Sequence, residues 1–349
     1  MALVMVQGHV CGTLVSAATR GHPLYQLQLL FHGSTAPGFL FASGFVAGLP
    51  RAPLSLSASL RRARRLLFIL GVGYVLHLPY LSVWKTALQA TSAQKAALFA
   101  CDALQLIAVS QLLVLALQWI VGRRWIAAAG LAAVAVLTAA PVVWAAGVSR
   151  HLPPFVGAYL DSTSVPSTFP LFPYAAFVLA GAVAGAALGR QDPAVRSRRA
   201  IVWGAGLLAV GALLAVALRH VAPFWGPSPG YVLLRLGGLL LLLRAVEEVS
   251  RREWPGVQTL GLLGHETLLV YVFHLYLLFG GVLGDAPLGR LVGRLGFGQG
   301  LAVAALLVPV LLAAAWAWHR VKMRYSRGAS LTLVFLATWL VYEFLARPW

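Results

Sequence analysis

Residues 170–189 read PLFPYAAFVLAGAVAGAALG, twenty positions with no charged residue, and Arg190 follows directly. At about 1.5 Å of rise per residue, such a run makes a helix about 30 Å long, the thickness of a bilayer's hydrocarbon core. Gly181, Gly185 and Gly189 recur every fourth position, so they share one helix face and predict close packing against a neighbouring helix. Working outward, ten further apolar segments follow the same pattern: 1–19, 35–50, 66–82, 97–121, 125–148, 200–218, 230–249, 259–283, 299–318 and 329–346. The whole chain of 349 residues is 60% hydrophobic and 10% charged, with a mean hydropathy of +0.83. That is too little charge to cover a soluble domain, which carries about 25%, and too little polarity for a disordered one. In lipid a helix satisfies its own backbone hydrogen bonds, and the alternating ten-residue pattern of an outer-membrane barrel is absent. The expected fold is an all-α, polytopic integral membrane protein of about 11 transmembrane helices, forming a single transmembrane domain over 1–349.

The formal net charge of +18 follows the connecting segments rather than one clustered face. Nucleic acid is therefore not an expected partner. Lys and Arg divide by side. Arg51, Arg61, Arg62, Arg64, Arg65, Arg123, Arg124 and the 190–199, 244–252 and 320–327 groups total 18 on one side. Arg20, Lys85, Lys95, Arg150, Arg219, Arg290, Arg294 and Arg347 make 8 on the other, with Arg235 inside a span. By the positive-inside rule, the N-terminus is cytoplasmic and the C-terminus extracytoplasmic, in a multi-pass protein of the cell inner (cytoplasmic) membrane. Met1 opens straight into an apolar run with no basic flank and no cleavage site. This argues against a signal peptide and predicts a truncated N-terminus. The two cysteines, Cys11 and Cys101, lie in apolar runs and form neither a metal nor a disulfide framework.

Ionisable groups inside spans are costly and mark function. His9 sits in the first apolar segment with Thr13 and Ser16 on the same face. His32 and Ser34 lie at the outer mouth of the second, just before Pro37-Gly38. Asp102 and Gln105, at i and i+3, open the fourth segment, with Arg235 as one candidate partner for Asp102. Thr267, Tyr271 and His274 share a face of the ninth. HETLL at 265–269 misses the HExxH zinc motif, because Leu269 stands where the second His belongs, and no metal is expected. For each of these groups the plain alternative is an interhelical or interfacial hydrogen bond.

Five stretches then acquire a common meaning: MALVMVQGH (1–9), PGFLFASGF (37–45), CDALQLIAVS (101–110), STFPLFPYAAFVLAGAVAGAALG (167–189) and LLGHETLLVYVFHLYLL (262–278). In order and spacing they resemble successive blocks of a membrane acyltransferase superfamily. It includes the heparan-alpha-glucosaminide N-acetyltransferase catalytic domain and its bacterial relatives and, more distantly, the acyltransferase-3 family. The resemblance implies transfer of an acyl group, usually acetyl, from cytoplasmic acetyl-CoA or another acyl-CoA. No cofactor would be tightly bound. The acceptor would be a hydroxyl or amine of a sugar, glycan or glycolipid. It also implies that His9 corresponds to the histidine of the family's Arg-x10-His pattern, whose Arg would fall before Met1. His32 is the positional match to the catalytic histidine of the nearer branch.

The chemistry is coherent with these residues. Acyl transfer needs a base, and His titrates near neutrality. Asp102 is a candidate to orient a histidine as triads do, and His274 a candidate for positioning or oxyanion support. Tyr271, Gln105 and Ser34 are the other donors to substrate or oxyanion. Arg61, Arg62, Arg64 and Arg65 offer bidentate donors to the phosphates of CoA, with plain positive-inside topology as the alternative. Besides acyl-CoA and the acceptor, the expected partner is the lipid bilayer, and a homodimer is compatible. The competing function is a membrane transporter or flippase for a lipid or small solute. It would need a midplane site between two pseudo-symmetric halves.

Overall fold

The structure is a computed structural model of the full chain, described here for residues 1–50, 55–223, 226–252, 256–282 and 284–347. Arg51, counted above among the basic residues, lies outside the described residues. Helix makes up 79% of it, with no strand among the described residues, which meets the all-α expectation. The helices are α1 (Ala2–Leu14), α2 (Pro23–His32), α3 (Thr35–Gly48), α4 (Leu56–His77), α5 (Val83–Leu88), α6 (Ser92–Phe99), α7 (Ala103–Ile120) and α8 (Trp125–Ala146). They continue with α9 (Pro154–Gly157), α10 (Leu171–Leu188), α11 (Pro193–Ala217), α12 (Pro229–Arg251), α13 (Val257–His265), α14 (Thr267–Phe279), α15 (Phe297–Arg324) and α16 (Ser326–Ala346).

Their starts follow local chemistry. Asp102, Asp192 and Ser228 each accept a backbone N–H in the first turn of α7, α11 and α12, and Pro193 and Pro229 occupy the first helical position of the latter two. Gly147, in the left-handed conformation at φ 58°, closes α8.

Seven of these described helices, or helix pairs, are long and apolar enough to cross a membrane, eight if the bent pair α13–α14 counts as one. The expectation of eleven spans is therefore corrected. Segment 1–19 yields α1, whose 13 residues reach only about 20 Å. Segment 66–82 belongs to α4, whose first half carries Arg61, Arg62, Arg64 and Arg65. Segment 230–249 belongs to α12, which carries Arg235, Arg244, Glu247, Glu248 and Arg251. Segment 259–283 breaks at Glu266, where α13 and α14 meet at a 77° bend.

The chain forms two compact units. The first comprises Met1–Thr35, Leu78–Lys95 and Glu253–Trp349; the second comprises Ala36–His77 and Ala96–Arg252. In the second unit α10 is the central helix, buried along most of its length and packed on α7, α8 and α12. It also interlocks with α3 through reciprocal glycines. A methyl group on Gly44 or Gly48 would sit 1.9 or 2.0 Å from the carbonyl oxygen of Val178 or Ala182. One on Gly181 or Gly185 would sit 2.2 or 2.1 Å from that of Phe41 or Phe45. The stripe expected at 181–189 is thus a packing seam. Its partner glycines lie in PGFLFASGFVAG (37–48). Helices α11 and α12 run antiparallel, with Gly204 against Leu241, Gly211 against Leu234 and Gly230 against Ala215. Between α8 and α10, buried Asp161 accepts from the backbone and hydroxyl of both Ser149 and Thr163 at 2.6–2.9 Å, ordering the loop.

In the first unit α1 packs on α2, α14 and α15. Gly300 of α15 lets Val15 approach, since a methyl there would sit 2.7 Å from Val15 Cγ2. The exit of α1 is tied by backbone hydrogen bonds from Ser16 to Leu295, Gly293 to Thr13 and Leu295 to Leu14. The Arg20 guanidinium donates to the carbonyls of Gly12 and Val15, neutralising the negative end of α1. Short as it is, α1 is held at its end, and this fixes the residue at its centre, His9.

Candidate active site

Three of the four residues expected to be catalytic meet in the first unit. His9 of α1 and His274 of α14 are 265 residues apart in sequence, yet His9 Nδ1 lies 2.8 Å from His274 Nε2. Their rings are nearly parallel, 18° apart with centroids at 5.1 Å. His274 is fully buried, and its Nδ1 lies 2.8 Å from the carbonyl oxygen of Val270, one turn back on α14. A carbonyl only accepts. So His274 carries its proton on Nδ1 and presents the Nε2 lone pair, and neutral His9 donates its own Nδ1 proton to that lone pair. The chain of bonds leaves the other lone pair of His9 on Nε2, as a base requires.

His32, at the end of α2, stands edge-on to His9 with centroids 5.5 Å apart. It reaches this position because residue 8 has no side chain, for a methyl group on Gly8 would sit 1.7 Å from His32 Nδ1. Tyr271 meets the edge of His274 with centroids at 5.7 Å. Gln7 Nε2 donates to Gln28 Oε1 at 2.7 Å, a second polar link between α1 and α2. Gln28 Nε2 and His32 Nδ1, one turn apart on α2, are both buried; Gln28 Nε2 has no hydrogen-bond partner among the described residues, whereas His32 has the backbone of Val4 beside it. A buried polar atom without a partner costs stability until something bonds it. The sequence signal for Gln28 was its i, i+4 spacing from His32; Gln7 and Gly8 stand two and one residues before His9.

The remaining candidates are placed elsewhere. Asp102 lies in the second unit, where its Oδ1 accepts from the N–H of Ala103 and its Oδ2 lies 3.6 Å from His77 Nε2. Gln105, buried beside Gly73, brings its amide 3.4 Å from His77 Nδ1. The histidine that Asp102 meets is therefore His77, the last residue of α4. Arg235, the other candidate partner of Asp102, lies over the ring of Tyr231. Ser34 donates its hydroxyl back to the Leu30 carbonyl at 3.1 Å. Arg61, Arg64 and Arg65 are exposed on the first half of α4 and Arg62 is partly buried. Among the described residues no group of three His, Cys, Asp or Glu is placed to hold a metal ion.

Eight residues before His274, at the break between α13 and α14, Glu266 is buried against His319 Nδ1 at 2.9 Å and Lys322 Nζ at 2.6 Å. A buried carboxylate with two cationic or donor partners fixes geometry more than it adds stability. Here it pins the bend to α15, from which α14 presents His274.

A family model described as an acyltransferase domain matches residues 1–318. No curated protein and no solved structure matches the chain.

Proposed function

The chain belongs to the acyltransferase-3 family of membrane acyltransferases, and from that premise we propose that it moves an acyl group, acetyl in the simplest case, from cytoplasmic acyl-CoA to a hydroxyl or amine of a sugar, glycan or glycolipid. The observation that carries the proposal is the hydrogen-bonded series from Val270 through His274 to His9. Within it His9 is the general base. Its Nε2 takes the proton from the acceptor as the acceptor oxygen or nitrogen attacks the thioester carbonyl. The tetrahedral intermediate collapses with cleavage of the C–S bond, and the proton returns from His9 Nε2 to the departing CoA thiolate. His274 is a positioning residue. It holds His9 in the productive tautomer and shares the positive charge that His9 gains. Unlike the carboxylate of a triad it is neutral, so it acts through hydrogen-bond direction rather than through net charge.

Gln28 Nε2, with no hydrogen-bond partner among the described residues, and the neighbouring His32 suit an acceptor bearing several hydroxyls, which can donate and accept at adjacent positions. His32 is then the residue that receives the acceptor. Tyr271 lies on the face that would support the oxyanion. The exposed guanidiniums of Arg61, Arg64 and Arg65, with Arg62, suit the phosphates of CoA. The proposed orientation, with the start of α4 in the cytoplasm, rests on its cluster of Arg61, Arg62, Arg64 and Arg65. A cysteine introduced at Ser57 should then be labelled only from the cytoplasmic side, and labelling from outside would reverse the donor side.

The narrower kinship with heparan-alpha-glucosaminide N-acetyltransferase rests on the blocks quoted from the sequence and belongs to this same reading. The test of the mechanism is substitution of the two histidines in membranes supplied with acetyl-CoA and a cell-envelope glycolipid extract. His9→Ala should lower transfer by about a hundredfold or more, with acetyl-CoA still bound. His32→Ala should raise the acceptor concentration needed. A His9→Ala protein that folds and transfers within tenfold of wild type would remove His9 from the chemistry.

A further inference from the structure

The charged ends of α11 and α12 enclose a groove of about 630 Å³ in the second unit, whereas His9 and His274 belong to the first; it is lined by Asp192, Ser197, Arg198, Ile201, Arg244 and Arg251, among others. Three guanidiniums face one carboxylate. The carboxylate of Asp192 is engaged as the N-cap of α11, accepting from the N–H of Ala194 at 2.9 Å. Arg244 donates to Ser197 and pairs with Glu248 at 3.0 Å. The neighbouring Arg196 is taken up by Glu247 at 2.7 Å. The guanidiniums of Arg198 and Arg251, by contrast, have no carboxylate or other hydrogen-bond partner among the described residues, although they share a groove.

The groove also straddles a change of solvent. On α11 the basic residues stop at Arg199 and an apolar run begins at Ala200. On α12 the run LLLLL at 239–243 ends at Arg244. Helix α11 is one of those long and apolar enough to span a membrane, and most of its surface faces away from the protein. Ile201 and Val202, at the apolar edge of the groove, are exposed, and Trp203 follows them, at the level where aromatic residues mark a membrane–water boundary. An occupant must therefore be anionic at one end and apolar at the other.

We infer that this groove binds the headgroup of an anionic phospholipid. Its phosphate lies between Arg198 and Arg251, and its acyl chains run along Ile201 and Val202. Bidentate N–H donors match phosphate oxygens, and the volume falls within the range of small-molecule sites. A freely dissolved phosphate shares the headgroup's charge but gains nothing from the apolar wall.

The test uses the purified full chain in a neutral maltoside detergent, titrated with dioleoyl phosphatidylglycerol or dioleoyl phosphatidylcholine, with bound lipid counted by native mass spectrometry. Each surface arginine contributes about fivefold to binding of an anionic lipid. Wild type should therefore hold phosphatidylglycerol at least fivefold better than phosphatidylcholine. The pair Arg198→Gln and Arg251→Gln should abolish that preference while leaving phosphatidylcholine unchanged. Arg198→Lys with Arg251→Lys should keep part of it, which covers the case in which the glutamine pair folds poorly. Arg123→Gln with Arg124→Gln, among the same set of basic residues, should leave it intact. Equal retention of the two lipids by wild type would overturn the proposal. So would equal loss from the Arg123 and Arg124 pair, which would mean diffuse attraction, or displacement of phosphatidylglycerol by inorganic phosphate or CoA, which would mean a soluble phosphate site.

Discussion

Replacing His274 by alanine isolates the role of a residue that is argued to act only through another. The substitution removes the acceptor 2.8 Å from His9 Nδ1. The Val270 carbonyl loses a side-chain donor but keeps its place in the helix. The Nδ1–H of His9, on a partly buried ring, then loses this acceptor, at a cost of about 0.5–1.5 kcal/mol. His9 escapes by carrying its proton on Nε2, the tautomer that cannot accept a proton from substrate. The productive fraction of enzyme, and with it kcat, should fall by about twofold to tenfold, with KM for acetyl-CoA little changed. His9→Ala removes the base itself and should cost more, about a hundredfold to ten-thousandfold. His274→Gln restores an oxygen able to accept from His9 and should recover much of the loss. The assay is release of free CoA thiol from acetyl-CoA in proteoliposomes with the glycolipid extract as acceptor, alongside thermal unfolding of each variant. Wild-type turnover from a well-folded His274→Ala protein would refute the tautomer argument. A His274→Gln protein no better than His274→Ala, with both as inactive as His9→Ala, would refute it differently, by showing that His274 takes part in the chemistry itself.

Gly8→Ala should act like a substitution at His32, lowering acceptor use with little loss of thermal stability. The new methyl meets a movable ring at 1.7 Å, and Gly12→Ala, with nothing within 4 Å, is the neutral control. Gly44→Ala instead meets a backbone carbonyl at 1.9 Å and should lower stability by about 1–3 kcal/mol; Gly206→Ala, in open space, should not lower the melting temperature. Asp161→Asn should destabilise at pH 7 by about 1–3 kcal/mol, because an amide N–H then faces the donors of Ser149 or Thr163. Burial raises the Asp161 carboxyl, but hydrogen bonds from Ser149 and Thr163 outweigh it and hold the group below the ordinary Asp value. Its contribution is therefore complete above the unfolded Asp value and is lost as pH falls through the lower folded value. Melting curves from pH 7 to pH 2 should show a shallower acid limb in Asp161→Asn, and an unchanged limb would mean that other carboxylates dominate it.

How much of this was legible beforehand depends on the range of the interaction involved. The apolar runs and the odd presence of His9 and His274 inside apolar helices are local facts. Each is decided within about one helical turn or one bilayer thickness of chain, so the sequence alone determined an all-helical membrane protein with histidines inside its apolar helices. The count of spans was overestimated because hydropathy is summed along the chain, whereas a crossing needs length and straightness. Helix α1 is too short, and the bend at Glu266 is fixed by His319 and Lys322, more than fifty residues downstream. Only the tertiary structure decided which histidine meets which. Sequence placed His9 and His32 as candidates for the base and His274 as a positioning or oxyanion group, and it offered Asp102 to orient a histidine without saying which. The packing of α1 against α14 gave His9 its partner in His274, and Asp102 met His77. Hydrogen bonds of this kind depend on positions to within a few tenths of an ångström between segments hundreds of residues apart, and no pattern within one segment carries that distance.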